Sequence, residues 1–135
     1  MADMIVSDSS VARFSGNLSF ANRGGIAQII SPYITDVLGS YEGVSIRFKG
    51  DGTPFIVTLQ NVAIPCSAKH LEYLIRTEID QWTEVQIPFS EFRNTYFGVA
   101  MIKHPLSLND AHHISFINAY QEGPFWLDVD WIKLF

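Results

Sequence analysis

The last eleven residues, 125–135, read F-W-L-D-V-D-W-I-K-L-F, and their alternation restricts this segment to an extended chain. Successive strand side chains point to opposite faces, so Phe125, Leu127 and Val129 fall on one side and Trp126, Asp128 and Asp130 on the other. The first side is purely apolar and requires a core. The second joins an indole to two carboxylates, a surface suited to a ligand or a partner. With no polar residues after Phe135, the strand is expected to be tied into a sheet and to close the fold.

The same period of two recurs along the chain, while a sustained i, i+3, i+4, i+7 stripe is absent. Residues 13–20 and 25–31 read as strands, and Asn22-Arg23-Gly24-Gly25 between them carries glycines suited to a tight hairpin. In 43–49, Val44, Ile46 and Phe48 oppose Ser45, Arg47 and Lys49. Gly50-Asp51-Gly52 then turns the chain, the Asp bonding to nearby backbone N–H groups. Residues 54–60 alternate Phe55, Val57 and Leu59 against Ile56, Thr58 and Gln60, and a second hairpin with 43–49 is expected. Further strands are expected at 71–77 and 83–88, with Trp82 as a core aromatic before the latter and a short turn at 90–93. Residues 96–113, broken by Gly98, Pro105 and Asn109-Asp110, read as a long loop over one end. Strands 114–120 and 125–134 are expected to form a closing hairpin across 121–124. About eight strands predict an all-β jelly-roll sandwich of two packed antiparallel sheets.

A length of 135 residues suits one domain spanning 1–135, with room for a single sizeable core. Hydrophobic residues make up 47% against 17% charged, with ten Phe, five Tyr and three Trp, so β-formers supply much of the apolar content. The formal charge of -5 argues against a phosphate-tracking groove, because counterion release needs clustered Lys and Arg. Nucleic acid is therefore not an expected partner. No apolar run approaches the roughly 20 residues that span a bilayer. The single Cys66 excludes an intrachain disulfide, and the start M-A-D-M-I-V-S-D has neither a basic nor an apolar signal region. The expected setting is intracellular and cytoplasmic, or organellar if a targeting segment was trimmed.

Four segments in series carry a resemblance: F-S-G-N-L-S-F-A-N-R-G-G-I-A from Phe14, Y-E-G-V-S-I-R-F-K-G-D-G from Tyr41, W-T-E-V-Q-I-P-F-S-E-F from Trp82 and G-P-F-W-L-D-V-D-W-I from Gly123. In order and spacing they resemble the complex I intermediate-associated protein family. The resemblance implies a β-sandwich similar to galactose-binding and carbohydrate-binding modules. It also implies kinship with mitochondrial assembly factors for respiratory NADH dehydrogenase. The chain departs from the family where members carry Asp-x-Val-Met-Gly-Gly-x-Ser. Its nearest equivalent, D-M-I-V-S-D-S-S at residues 3–10, has Val6-Ser7-Asp8 in place of Met-Gly-Gly. This bears on the family's specific function and leaves the fold expectation intact, and no further domain for docking onto a membrane complex is expected.

Catalytic signals are sparse. Cys66 with His70, or a serine with His104, His112 or His113, would need to be brought together as nucleophile and base, at spacings that specify nothing. His112 and His113 are adjacent, so in a strand they diverge and do not share a zinc ion. Asp36, Glu42, Asp51, Asp110 and Glu122 lie in or near loops and admit a structural calcium, but no D-x-D-x-D-G run is present and no cofactor is assigned. What remains is a sheet face. With Val44, Phe55, Tyr73, Val85, Phe116 and Leu127 inward, the outward set includes Lys49, Gln86, Ser115 and Ile117. It also includes the candidate ligand-binding residues Arg47, Thr58, Gln60, Glu72, Arg76, Trp126 and Asp128, expected along one concave sheet. An indole among hydrogen-bonding groups suits a sugar or small polar ligand. The competing view is a solvated face on which Arg47 and Arg76 pair with Glu72 or Asp128. The leading expectation is a non-catalytic module holding a protein partner or small ligand there. The alternative is a small enzyme of the cyclase or isomerase type, using Asp128, Asp130 or Glu72 as acid or base.

Overall fold

The computed structural model describes residues 2–6, 11–21, 25–61, 70–96, 99–100 and 106–135. Eleven strands are present among them: β1 (Ala2–Val6), β2 (Ala12–Leu18), β3 (Ala27–Ile30), β4 (Gly43–Gly50), β5 (Pro54–Gln60), β6 (His70–Arg76), β7 (Thr83–Pro88), β8 (Thr95–Tyr96), β9 (Val99–Ala100), β10 (His113–Asn118) and β11 (Gly123–Leu134). Three single 3-10 turns, Leu38–Ser40, Phe89–Glu91 and Leu108–Asp110, punctuate them. Nine strands build two antiparallel sheets, ordered β1-β2-β11-β4-β7 and β3-β10-β5-β6, while β8 and β9 form a separate short pair. The protein is an all-β jelly-roll sandwich. No described helix is long and apolar enough to cross a membrane.

Alternation explains which side of each strand is buried. Phe14 and Leu18 of β2, Val44, Ile46 and Phe48 of β4, Ile87 of β7 and Phe125, Leu127 and Val129 of β11 face Phe55, Val57 and Leu59 of β5, Leu71 and Ile75 of β6 and Ile114 and Phe116 of β10. Tyr73 and Val85 pack against this cluster from its edge. At its centre the rings of Phe14 and Phe125 meet edge to face at 5.1 Å, and Phe55 lies 6.0 and 6.1 Å from the two. Such geometry aligns ring edges with ring faces and adds to the burial of three large apolar surfaces.

The connections differ from the expected hairpins. β2 and β3, β4 and β5, and β10 and β11 are each split between the two sheets, so these turns carry the chain across the sandwich. The physical reason is that a strand buries one face whichever sheet it joins, and Gly-rich turns serve either connection. Gly50-Asp51-Gly52 shows the crossing. Gly52 takes φ 97°, which favours glycine, and a side chain at Gly50 would collide with Thr77. Asp51 Oδ1 accepts from the Thr53 N–H at 3.0 Å, and its Oδ2 accepts from the Trp126 N–H at 3.1 Å, tying the turn to β11. The region expected as one long loop contains β9, the Leu108–Asp110 turn and the second residue of β8. β1, which sequence reading left unassigned, pairs with β2. Cys66, His104, the Asn22-Arg23-Gly24 turn and residues 7–10 lie outside the described residues.

Phe14→Ala is expected to lower the unfolding free energy by about 3–5 kcal/mol. Ile79→Ala, at a position 73% exposed, should change it by no more than about 0.5 kcal/mol. Urea denaturation of the two variants checks both values.

Candidate functional site

The seven candidate ligand-binding residues do not share a face. Arg47, Trp126 and Asp128, with Lys49, Gln86 and Asp130, lie on the outer side of the five-stranded sheet, and Thr58, Gln60, Glu72 and Arg76, with Ser115 and Ile117, lie on the outer side of the four-stranded sheet. The core separates the two groups. The expectation of one continuous surface is corrected by β4 and β5 belonging to different sheets.

On the five-stranded sheet the polar groups satisfy one another. Asp128 sits opposite Arg13 in the β2–β11 register and opposite Lys49 in the β4–β11 register. Arg13 Nε and Nη2 donate to its two carboxylate oxygens at 2.6 and 2.9 Å. These side-chain hydrogen bonds outweigh the desolvation that acts against the guanidinium and hold Arg13 above its ordinary pKa. The guanidinium carbon also lies 4.6 Å from the Trp126 ring centroid, so a cation covers the stacking platform. Arg47 donates to Asp130 at 3.0 Å and to Glu84 at 3.4 Å, and Lys49 pairs with Asp80 at 3.7 Å. Trp82 is corrected from core to surface: it is 36% exposed, with Arg47 and Lys49 at 4.8 and 5.0 Å from its ring. Its position just before β7 leaves it outside the inward alternation. Asp128 is thus a structural partner of Arg13, which sequence reading had treated only as a strand start. Its place across from Asp128 depends on a pairing that only the fold supplies.

The four-stranded sheet is different. Its outer face buries polar side chains: Thr58, His70, Glu72, His113 and Ser115 are each no more than 7% exposed. Burial of polar groups is tolerated when they bond to one another. Thr58 Oγ1 bonds Ser115 Oγ and donates to Gln60 Oε1 at 2.9 Å, and Gln28 Nε2 donates to Ser115 Oγ at 3.1 Å and Gln60 Oε1 at 3.3 Å. Next to this network, Glu72 Oε2 lies 3.0 Å from His70 Nε2 and its Oε1 accepts from Thr95 Oγ1 at 2.6 Å. The Glu72 backbone also exchanges both hydrogen bonds with Arg93, at 2.8 and 2.9 Å. A cavity of about 370 Å³ opens beside Glu72, lined also by Tyr73, Glu91, Arg93, Thr95 and Tyr120. Arg76 is exposed and faces Pro54 in the register, apart from this cavity.

His70 is the residue that alternation could have supplied. The expected strand began at 71, whereas β6 begins at His70, which puts His70 and Glu72 two apart on one face. Arg93, Thr95 and Tyr120 come from turns and short elements whose approach to β6 has no periodic signal. His112 Nδ1 lies 2.9 Å from the Ile34 carbonyl oxygen and its ring stacks on Tyr33 at 4.4 Å, while His113 belongs to the buried outer face. No group of three His, Cys, Asp or Glu side chains that could hold a metal occurs among the described residues.

The family described as complex I intermediate-associated protein 30 matches residues 2–129. The chain belongs to that family. A mouse relative, the mitochondrial complex I intermediate-associated protein 30, is 32% identical over 95 residues, which cover 67% of this chain and 29% of the relative. The chain thus spans under a third of that family member's length. Among solved structures, it is similar to the family 11 carbohydrate-binding module of the cellulosomal cellulase Lic26A-Cel5E of Clostridium thermocellum. That match has a TM-score of 0.71 at 17% identity and covers 99% of this chain and 79% of the module. The family 11 module of the same organism in complex with a β-1,3-1,4-mixed-linked tetrasaccharide gives 0.68 at 19% identity, over 99% and 81%. These likenesses establish that this family member shares the sandwich of the modules.

A double-mutant cycle of Arg13→Ala and Asp128→Ala is expected to give a coupling of about 1–2 kcal/mol in unfolding free energy, above the exposed-pair range because the contact is bidentate and Asp128 is buried. Thermal or urea denaturation of the four proteins measures it.

Proposed function

We propose that this domain is a non-catalytic binding module that holds its ligand or partner on the outer face of the four-stranded sheet, at the cavity beside Glu72. One observation carries this reading. The carboxylates of the other outer face are paired with Arg13, Arg47 and Lys49, whereas the cavity beside Glu72 presents the exposed Glu91 carboxylate and Arg93 guanidinium together with Tyr73 and Tyr120 to incoming chemistry. Tyrosine rings supply flat apolar area with a polar tip, and the Glu and Arg fix the orientation of hydroxyl groups. A polyhydroxylated ligand fits this lining. The sandwich shared with a module solved in complex with a tetrasaccharide supports it. The name of the mouse relative supports the companion proposal that a protein partner, in an organellar setting, contacts the same residues.

A second reading, an acid/base enzyme of the isomerase or cyclase type, is favoured by the buried His70–Glu72 pair next to the cavity. Asp128, held by Arg13, is not available for that role in the same way, nor is Asp130, which accepts from Arg47. The two readings separate on Glu72→Gln: a bound ligand that the parent protein leaves chemically unchanged over hours, followed by one-dimensional NMR, supports the module. Conversion that Glu72→Gln abolishes supports the enzyme.

The β-1,3-1,4-linked tetrasaccharide is the first probe for calorimetric titration. Tyr120→Ala and Arg93→Ala are each expected to weaken binding by about 1–2 kcal/mol, the cost of removing an anchor residue. Trp126→Ala should leave affinity within about two-fold. Loss of binding in Trp126→Ala with Tyr120→Ala unaffected would place the site on the opposite face.

A further inference from the structure

β6 is an edge strand of the four-stranded sheet, and among the described residues its free side is bridged at one position. The Glu72 N–H donates to the Arg93 carbonyl at 2.9 Å and the Arg93 N–H to the Glu72 carbonyl at 2.8 Å, an antiparallel bridge one residue long. Backbone groups of successive strand residues point to opposite sides, so Leu74 and Arg76 turn their N–H and C=O the same way as Glu72, off the sheet. Tyr73 and Ile75 turn theirs toward Val57 and Phe55 of β5.

The segment that supplies Arg93 follows this edge no further. Antiparallel pairing would next set Glu91 against Leu74, but Glu91 belongs to the Phe89–Glu91 3-10 turn. Phe92 is buried, its ring 5.9 Å from that of Tyr73. Leu74 therefore stays 39% exposed, and Arg76 is exposed. Residues 70–96, which make up the edge, the turn and the bridge, are described without a gap. The cavity beside Glu72 lies where the pairing stops: Leu74 and Glu91 both line it, and Ile56 and Tyr120 add apolar wall.

An unpaired strand edge is a template for a further strand. We propose, building on the reading of this cavity as the binding site, that it takes an extended peptide segment of a partner protein, added antiparallel to β6 and exchanging backbone hydrogen bonds with Leu74. That exchange requires an N–H and a C=O at strand spacing, which an extended polypeptide supplies and a saccharide does not. The peptide carries an apolar side chain opposite Leu74, on the face shared by Leu74 and Ile56. Glu91 and Arg93 bear opposite charges, so backbone pairing and not net charge supplies the recognition.

The test selects a fully randomised heptapeptide library, displayed on phage, against the full chain. Enriched peptides are then titrated into the parent, Leu74→Pro and Leu74→Val proteins. Proline at 74 removes the outward N–H, a change that edge strands accept, and circular dichroism with a melting curve establishes that each variant is folded. Binding is expected to fall about ten-fold or more in Leu74→Pro, the cost of an unpaired carbonyl. In Leu74→Val it should stay within about four-fold, the worth of one methylene. An N-methyl scan of the tightest peptide, read on the parent protein alone, should weaken binding at alternate amides only. Enrichment of no peptide overturns the strand addition, as does equal binding to Leu74→Pro and the parent or an N-methyl scan without the period of two. If the mixed-linked tetrasaccharide still binds in a way that Tyr120→Ala weakens, the cavity stands and only the peptide falls. Indifference of both ligands to Tyr120→Ala and Arg93→Ala removes the cavity itself.

Discussion

The double pairing of β11 is the constraint on which the rest of the molecule depends. Over Leu127 to Val129 this strand is hydrogen-bonded to β2 on one side and β4 on the other, and Phe125, Leu127 and Val129 press into the centre of the core. A strand at the middle of a sheet has no freedom to slip, because a shift of one residue would exchange Leu127 for Asp128 in the interior. The Asp51 carboxylate fixes the same strand from the β4–β5 crossing. Sheet pairing, core packing and one loop therefore specify a single register together.

That register decides the chemistry of the outer face of the five-stranded sheet. Placing Asp128 across from Arg13 closes the Trp126 platform with a bidentate ion pair, and Arg47 is placed beside Asp130 and Glu84. Where the β11 register shifts past Val129, the ladder with β2 ends. The proposed site lies on the four-stranded sheet, whose outer face buries a bonded polar band ending at Glu72. Burial of such a band at the outside of a sheet costs stability unless every group finds a partner. Thr58, Gln60, Ser115 and Gln28 meet that condition through one another.

Much of this was legible in the sequence. Inward residues followed from alternation, since Val44, Phe55, Tyr73, Val85, Phe116 and Leu127 all join or flank the core. The family and the sandwich followed from four spaced segments. What alternation cannot encode is which sheet a strand enters, and that single ambiguity turned the β2–β3, β4–β5 and β10–β11 connections into expected hairpins and merged two faces into one. Arg13 was invisible as a partner of Asp128 for the same reason, being 115 residues distant in sequence. Arg93, Thr95 and Tyr120 converge on Glu72 through turns, where no period exists to reveal them.

The central claim is that recognition takes place at the Glu72 cavity and not on the tryptophan face. A crystal structure of the protein grown with the mixed-linked tetrasaccharide tests it most directly. The account predicts sugar density against Tyr120 and Arg93, with the Arg13–Asp128 pair still closed over Trp126. Density stacked on Trp126, with Arg13 displaced from the ring, would contradict it.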